Sequence, residues 1–232
     1  YLINAKHSRM VGRGTEMLAA LVEEKLQSGA FPLILGGDHS IAIGSLAGIL
    51  RARPQTGVVW VDAHADINTP AGSESGNMHG MPLGFLMEGV ASEYPPGLEW
   101  LAAEGAPRLN PDSIVYIGLR DVDPEERKII RDLGIYAYRM YEMDHYGIGK
   151  VMDMALAHLL EKDPNRPLHL SYDIDAVDPA HAPATGTAVR GGLTFREAHY
   201  VAEALARNGN LASAEIVELN PTLSDNDGAD NT

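Results

Sequence analysis

The sequence contains no cysteine. Disulfides and thiolate metal ligands are therefore excluded, and the compartment is left undecided. Positive charge is scarce too: 18 Lys and Arg stand against 32 Asp and Glu, a formal charge of −14. With no basic surplus to neutralise phosphate, nucleic acid and anionic membranes are poor partners. A cationic ligand is compatible with that charge. No apolar run is long enough to span a bilayer. The opening residues, YLINAKHSRMVGRG, lack the apolar core of a signal peptide. What remains is ordinary for a globular protein with a core: 232 residues, 45% hydrophobic and 22% charged, the size of one α/β domain or a small pair.

Three stretches carry the chemistry. Residues 58–70, VVWVDAHADINTP, open as a β-branched and aromatic run, the composition of a strand buried on both faces. The run changes at once to Asp62, His64 and Asp66, which share a face while the chain stays extended. FPLILGGDHS, 31–40, is an apolar run ending in Asp38 and His39, and LHLSYDIDAVDP, 168–179, ends in Asp173 and Asp175, with Asp178 just beyond. Single Asp residues in loops usually serve turns. Three strands that each end in Asp or His point instead to one shared metal site at the carboxyl edge of a sheet.

The remaining periodicity predicts helices over 14–28, 40–52, 123–134, 147–163 and 194–207, and strands over 31–36, 57–62, 113–119, 135–140, 167–173 and 212–219. In the first helix Met17, Leu18, Leu21, Val22 and Leu26 form the apolar face. Small residues in 40–52 allow close packing on the sheet. Residues 69–80 read as a loop on the ligand edge. Pro124 suits a first helical turn, and Thr194 with Glu197 forms a capping box. Strands alternating with helices imply a parallel sheet covered on both faces. The acidic end, 224–232, reads as mobile. VGRGTE follows no strand, GIGK lacks the residues of a phosphate loop, and RGG at 190–192 is a single triplet, so none is a nucleotide or RNA motif.

GGDHS, DAHAD and SYDID, in this order, resemble the ureohydrolase signature, and INTP, SGNMHG, GLRDVDPEE and ATGT are similar to arginases in particular. The resemblance covers nearly the whole chain. It implies one three-layer α/β/α domain over 1–232 with a central, mostly parallel sheet, and a chain trimmed at both ends relative to the family. It implies two manganese ions, one on His39 and Asp66, the other on His64 and Asp175, bridged by Asp62 and Asp173. Hard oxygens with two imidazoles suit Mn²⁺, and two divalent cations balance four carboxylates. Such a pair generates hydroxide near neutral pH, able to attack the guanidinium carbon of L-arginine and release L-ornithine and urea.

The resemblance also assigns roles around the ions. Glu218 pairs with the guanidinium, His79 shuttles protons, and Asp66 counts among the catalytic residues. Asn68, Ser75 and Asn77 hold the α-carboxylate, Asp123 the α-amino group, with Glu126 and Thr187 nearby. His158, His199 and His169 read as packing or surface residues, and His7, His145 and His181 carry no assigned role. Rival readings are an agmatinase or another guanidino-compound ureohydrolase, an inactive arginase-like subunit, and a single-zinc deacetylase of related fold. Asn68, Ser75 and Asp123 disfavour agmatine, which has no carboxylate to read. The family implies a homotrimer, sometimes a hexamer, and a cytoplasmic location with a mitochondrial one left open.

Overall fold

A computed structural model describes residues 3–226. Residues 227–232, most of the stretch expected to be mobile, lie outside the described residues. The described chain runs α1 (Ser8–Gln27), β1 (Leu33–Leu35), α2 (Ala42–Ala52), β2 (Gly57–Val61), α3 (Pro82–Leu86), β3 (Ile114–Leu119), α4 (Pro124–Leu133), β4 (Tyr136–Arg139), α5 (Met140–Leu160), β5 (Leu168–Asp173), α6 (Phe195–Asn208) and β6 (Leu211–Val217). The strands form one sheet in the order β1-β6-β5-β2-β3-β4, with every pairing parallel. One apolar core lies between the sheet and α1, α2, α3 and α4, and a second between the sheet and α5 and α6. β2, β3 and β5 are buried along their whole length, as a sheet covered on both faces requires.

Local chemistry explains most boundaries, and three expectations need correction. α1 begins at Ser8, six residues before the expected start. Its inward face is Gly12, Thr15, Ala19, Val22 and Leu26, while Met17 and Leu21 are 67% and 49% exposed. The reason lies in α2. A methyl group added at Gly44 would collide with the Thr15 carbonyl, and one at Gly48 with the Ala19 carbonyl. The two glycines of α2 therefore serve contact with α1 rather than with the sheet, and backbone-close packing selects the small face of α1, not its bulkiest stripe.

The second correction is α5, which starts directly after β4. Its first turns break at Gly147, whose φ of 73° and ψ of 153° interrupt the helix where it was expected to begin. A side chain there would strain the backbone. Third, β1 is only three residues long and pairs with β6 alone among the described residues, so Leu33 and Leu35 remain exposed. The predicted capping box is present: Thr194 Oγ1 accepts from the Glu197 amide, and the Thr194 amide donates to Glu197 Oε2. No described helix is long and apolar enough to cross a membrane.

Candidate metal centre

Four neighbouring strands, β1, β6, β5 and β2, deliver their carboxyl ends to one place. The same local device ends three of the runs. Asp62 Oδ1 accepts from the His64 amide at 2.7 Å, Asp173 Oδ1 from the Asp175 amide at 2.7 Å, and Asp38 Oδ1 from the Ser40 amide at 3.1 Å. Each aspartate folds the chain back on itself as its strand stops. β2 therefore ends at Val61, and Asp62–Asp66 is a turn rather than the extended run expected; Asp66 itself sits at φ 50°. The three side chains still converge, through turn geometry instead of strand alternation.

His39 Nδ1 lies 3.0 Å from Asp66 Oδ2, 3.1 Å from Asp62 Oδ2 and 3.3 Å from Asp173 Oδ2. His64 Nδ1 lies 3.0 Å from Asp175 Oδ2 and 3.4 Å from Asp62 Oδ1. Two sets of donors close enough to hold an ion emerge, His39–Asp62–Asp173 and Asp62–His64–Asp175. Asp62 belongs to both. Asp173 lies in the His39 set.

Crowding perturbs His39, Asp62, His64, Asp66 and Asp173. Burial and the neighbouring Asp62 push Asp66 up to about 8 and raise Asp173 well above the usual carboxylate range. Burial works against protonated His64, yet Asp175 and Asp62 raise it to about 11; His39 rises despite its burial through Asp173, Asp62 and Asp66. Asp62 is lowered, against its burial, by the two imidazoles. So many carboxylates in a dry site demand compensating positive charge.

The cleft above the cluster has a volume of about 150 Å³, and His64, Asn68, Ser75, Asn77, His79 and Asp123 are among its walls. Glu126, Thr187 and Glu218 also reach it. Asn68 Nδ2 donates to Asp123 Oδ2 at 2.8 Å, and the Asn77 amide to Ser75 Oγ at 3.2 Å. Glu126 is buried, and its two oxygens accept from the Ile67 and Asp123 amides, which ties the Asp62–Asp66 turn to the start of α4. Burial foremost raises its carboxyl to about 7. Thr187 Oγ1 donates to Asp175 Oδ2 at 2.8 Å, touching the acidic cluster directly. Glu218 follows the last residue of β6 with φ 63°, and its Oε1 accepts from the His39 amide at 2.6 Å.

Sequence reasoning missed the layer beneath. Trp60 stacks on His39 at 4.1 Å and donates to Asp62 Oδ2 at 2.9 Å. Ser171, Glu215 and Ser45 form a buried hydrogen-bonded set behind His39. A visible signal existed: Glu215 is a charged residue inside the apolar strand ASAEIV.

The chain matches the Arginase family over residues 3–232. It is 50% identical to the arginase of Glaciozyma antarctica over 94% of its own length and 62% of that protein. With Homo sapiens arginase-1 the identity is 49%, over 94% of this chain and 67% of the relative. The chain thus spans about three fifths to two thirds of the length of these two relatives. The solved arginase of Bacillus caldovelox superposes with a TM-score of 0.88 at 44% identity, covering 97% of this chain and 73% of that one. Sheet order, the two donor sets and these similarities agree, and the chain belongs to the arginase family.

Proposed function

We propose that the protein hydrolyses L-arginine to L-ornithine and urea at a centre of two Mn²⁺ ions. The observation that carries this reading is the pair of donor sets sharing Asp62 at the base of a cleft lined by Asn68, Ser75, Asn77 and Asp123. The residues fit metal ions. His39 Nδ1 is buried without a hydrogen-bond partner and faces three carboxylates, and oxygen donors with two imidazoles suit Mn²⁺. His39, Asp62, His64, Asp66, Asp173 and Asp175 would hold the ions, which would supply Lewis acidity and a nucleophile at neutral pH.

The chain's own groups do the rest. Glu218 offers a negative charge to the guanidinium; since Oε1 already accepts from the His39 amide, Oε2 carries most of that pairing. Asn68, Ser75 and Asn77 offer neutral hydrogen-bonding groups to a carboxylate, and Asp123 a negative charge to an ammonium. Asn68 also orients the Asp123 carboxylate. Thr187 and Glu126 position their neighbours, through Asp175 and the α4 start respectively. His79, on the cleft wall, delivers the proton to the leaving amine. The same family reading carries the single domain, a homotrimer or hexamer, and a cytoplasmic location.

Urea release measured with L-arginine and agmatine side by side tests the substrate. A site built around a polar group rejects an analogue that lacks it by up to about 10⁴-fold. The expected kcat/KM ratio favours L-arginine by at least about 10³-fold, and Asn68→Ala should erode it by weakening arginine alone. Comparable rates would replace arginase with agmatinase chemistry at the same metals.

A further inference from the structure

The two ring nitrogens of His39 face opposite ways. Nδ1 looks into the carboxylates of Asp66, Asp62 and Asp173. Nε2 looks into the sheet and lies 2.8 Å from Ser171 Oγ. That hydroxyl donates to Glu215 Oε1 at 2.7 Å, and Glu215 Oε2 accepts from Ser45 Oγ at 2.5 Å. Glu215 is wholly buried, on β6, with Ser171 opposite it on β5. Behind it His169 Nε2 stands 3.5 Å away, and His169 Nδ1 reaches Ser213 Oγ at 2.9 Å. A polar chain therefore crosses the sheet under the metal centre, and the proposed reaction makes no use of its far end.

The direction of the protons along this chain is decided by counting. An ionised carboxylate only accepts, and a serine hydroxyl has one proton. Glu215 accepts from two hydroxyls, Ser171 and Ser45, and faces His169 Nε2 at 3.5 Å, the surroundings of an ionised carboxylate. Ser171 spends its proton on Glu215, so toward His39 it offers only a lone pair. Nε2 must then carry the hydrogen, and the lone pair of a neutral ring sits on Nδ1, facing the carboxylates. Trp60, stacked on the ring within 9° of parallel, fixes its plane.

We propose that Glu215 is a positioning residue which, through Ser171, keeps the His39 proton on Nε2 and presents Nδ1 as a ready metal ligand. The proposal rests on the metal reading above. Without Glu215 the Ser171 hydroxyl can turn and donate to Nε2, moving the proton onto the nitrogen a metal needs. The loss of such an outer partner typically weakens metal binding by about 10–100-fold.

Mn²⁺ titration followed by electron paramagnetic resonance, on the metal-stripped protein, tests it. Glu215→Leu, of similar size and without an acceptor, should weaken one Mn²⁺ site by about 10–100-fold and leave the other within about threefold. Ser171→Ala should do the same, and the double variant should be no weaker than Ser171→Ala alone, because both substitutions cut one chain. A general loss of packing would instead weaken both sites and add across the two substitutions. Unchanged affinities in Glu215→Leu, or additive losses, overturn the proposal while the metal reading stands. Failure of the unmodified protein to take up Mn²⁺ removes the metal reading itself. Should Glu215→Leu not fold, Ser171→Ala carries the test, and two unchanged affinities in that variant overturn the proposal.

Discussion

The two halves of the metal centre are built differently. His39 is 1% exposed and stacked on Trp60 of β2, with a hydrogen-bond partner on its inner nitrogen. His64 is 23% exposed, sits in a turn, and its outer nitrogen lies 3.9 Å from the exposed Asp121. One half is thus part of the core and the other part of the cleft wall. A rigid imidazole costs little further ordering when an ion arrives, whereas an imidazole at the rim can adjust to whatever occupies the cleft. Under the proposed function the inner half would fix where an ion sits, and the outer half would meet the substrate.

The contrast predicts a graded series. Asp62→Ala removes the one carboxylate common to both donor sets. Elemental analysis should find less than one ion per chain, and urea release should fall by more than the roughly 10–100-fold that loss of an outer partner brings. Asp178→Ala should retain the metal, since Asp178 instead holds the amides of Ala180, Gly191 and Gly192. Two retained ions in Asp62→Ala would mean that the halves do not share a ligand.

A smaller effect is expected on the open side. His79→Ala should keep both ions and its KM while kcat falls by about 10²-fold, the usual scale for a general acid or base. Added imidazole should restore part of the rate. Loss of metal in this variant would move His79 from the cleft wall into the centre.

The smallest effect concerns Glu126, which joins the Asp62–Asp66 turn to α4. Burial pushes its folded carboxyl up to about 7, above the ordinary 4.5. Between those values the native state binds more protons than the unfolded state, so this group's contribution to stability falls as pH rises from about 4.5 to 7. Urea denaturation at pH 5 and pH 8 should show that decline, and Glu126→Gln should lessen it by about 1–2 kcal/mol after discounting for its hydrogen bonds and partial solvent access. Identical pH profiles for the two proteins would show that Glu126 does not titrate in this range.

Much of this was legible without coordinates, and the reasons are local. A buried parallel strand announces itself by composition, and an aspartate that ends it by folding back on the amide two residues later needs no distant partner. GGDHS, DAHAD and SYDID could therefore be read as ligand-bearing strand ends. α1 was harder: its inward face follows from the glycines of α2, some thirty residues on, and not from its own apolar period. Glu126 shows the limit at a single residue, since sequence placed it near substrate and only contact geometry shows both of its oxygens held by backbone amides.

The sequence by itself determined the alternation of strands and helices, the parallel sheet and the donors at its carboxyl edge, because those depend on short-range pattern and on strand-end turns. Only the tertiary structure decided which carboxylate is shared, which face of α1 is buried, and that Ser45, Ser171 and Glu215 meet behind His39. Those outcomes require elements as far apart as 170 residues to meet within hydrogen-bond distance, and a buried polar group reveals its role only through the partners that folding brings to it.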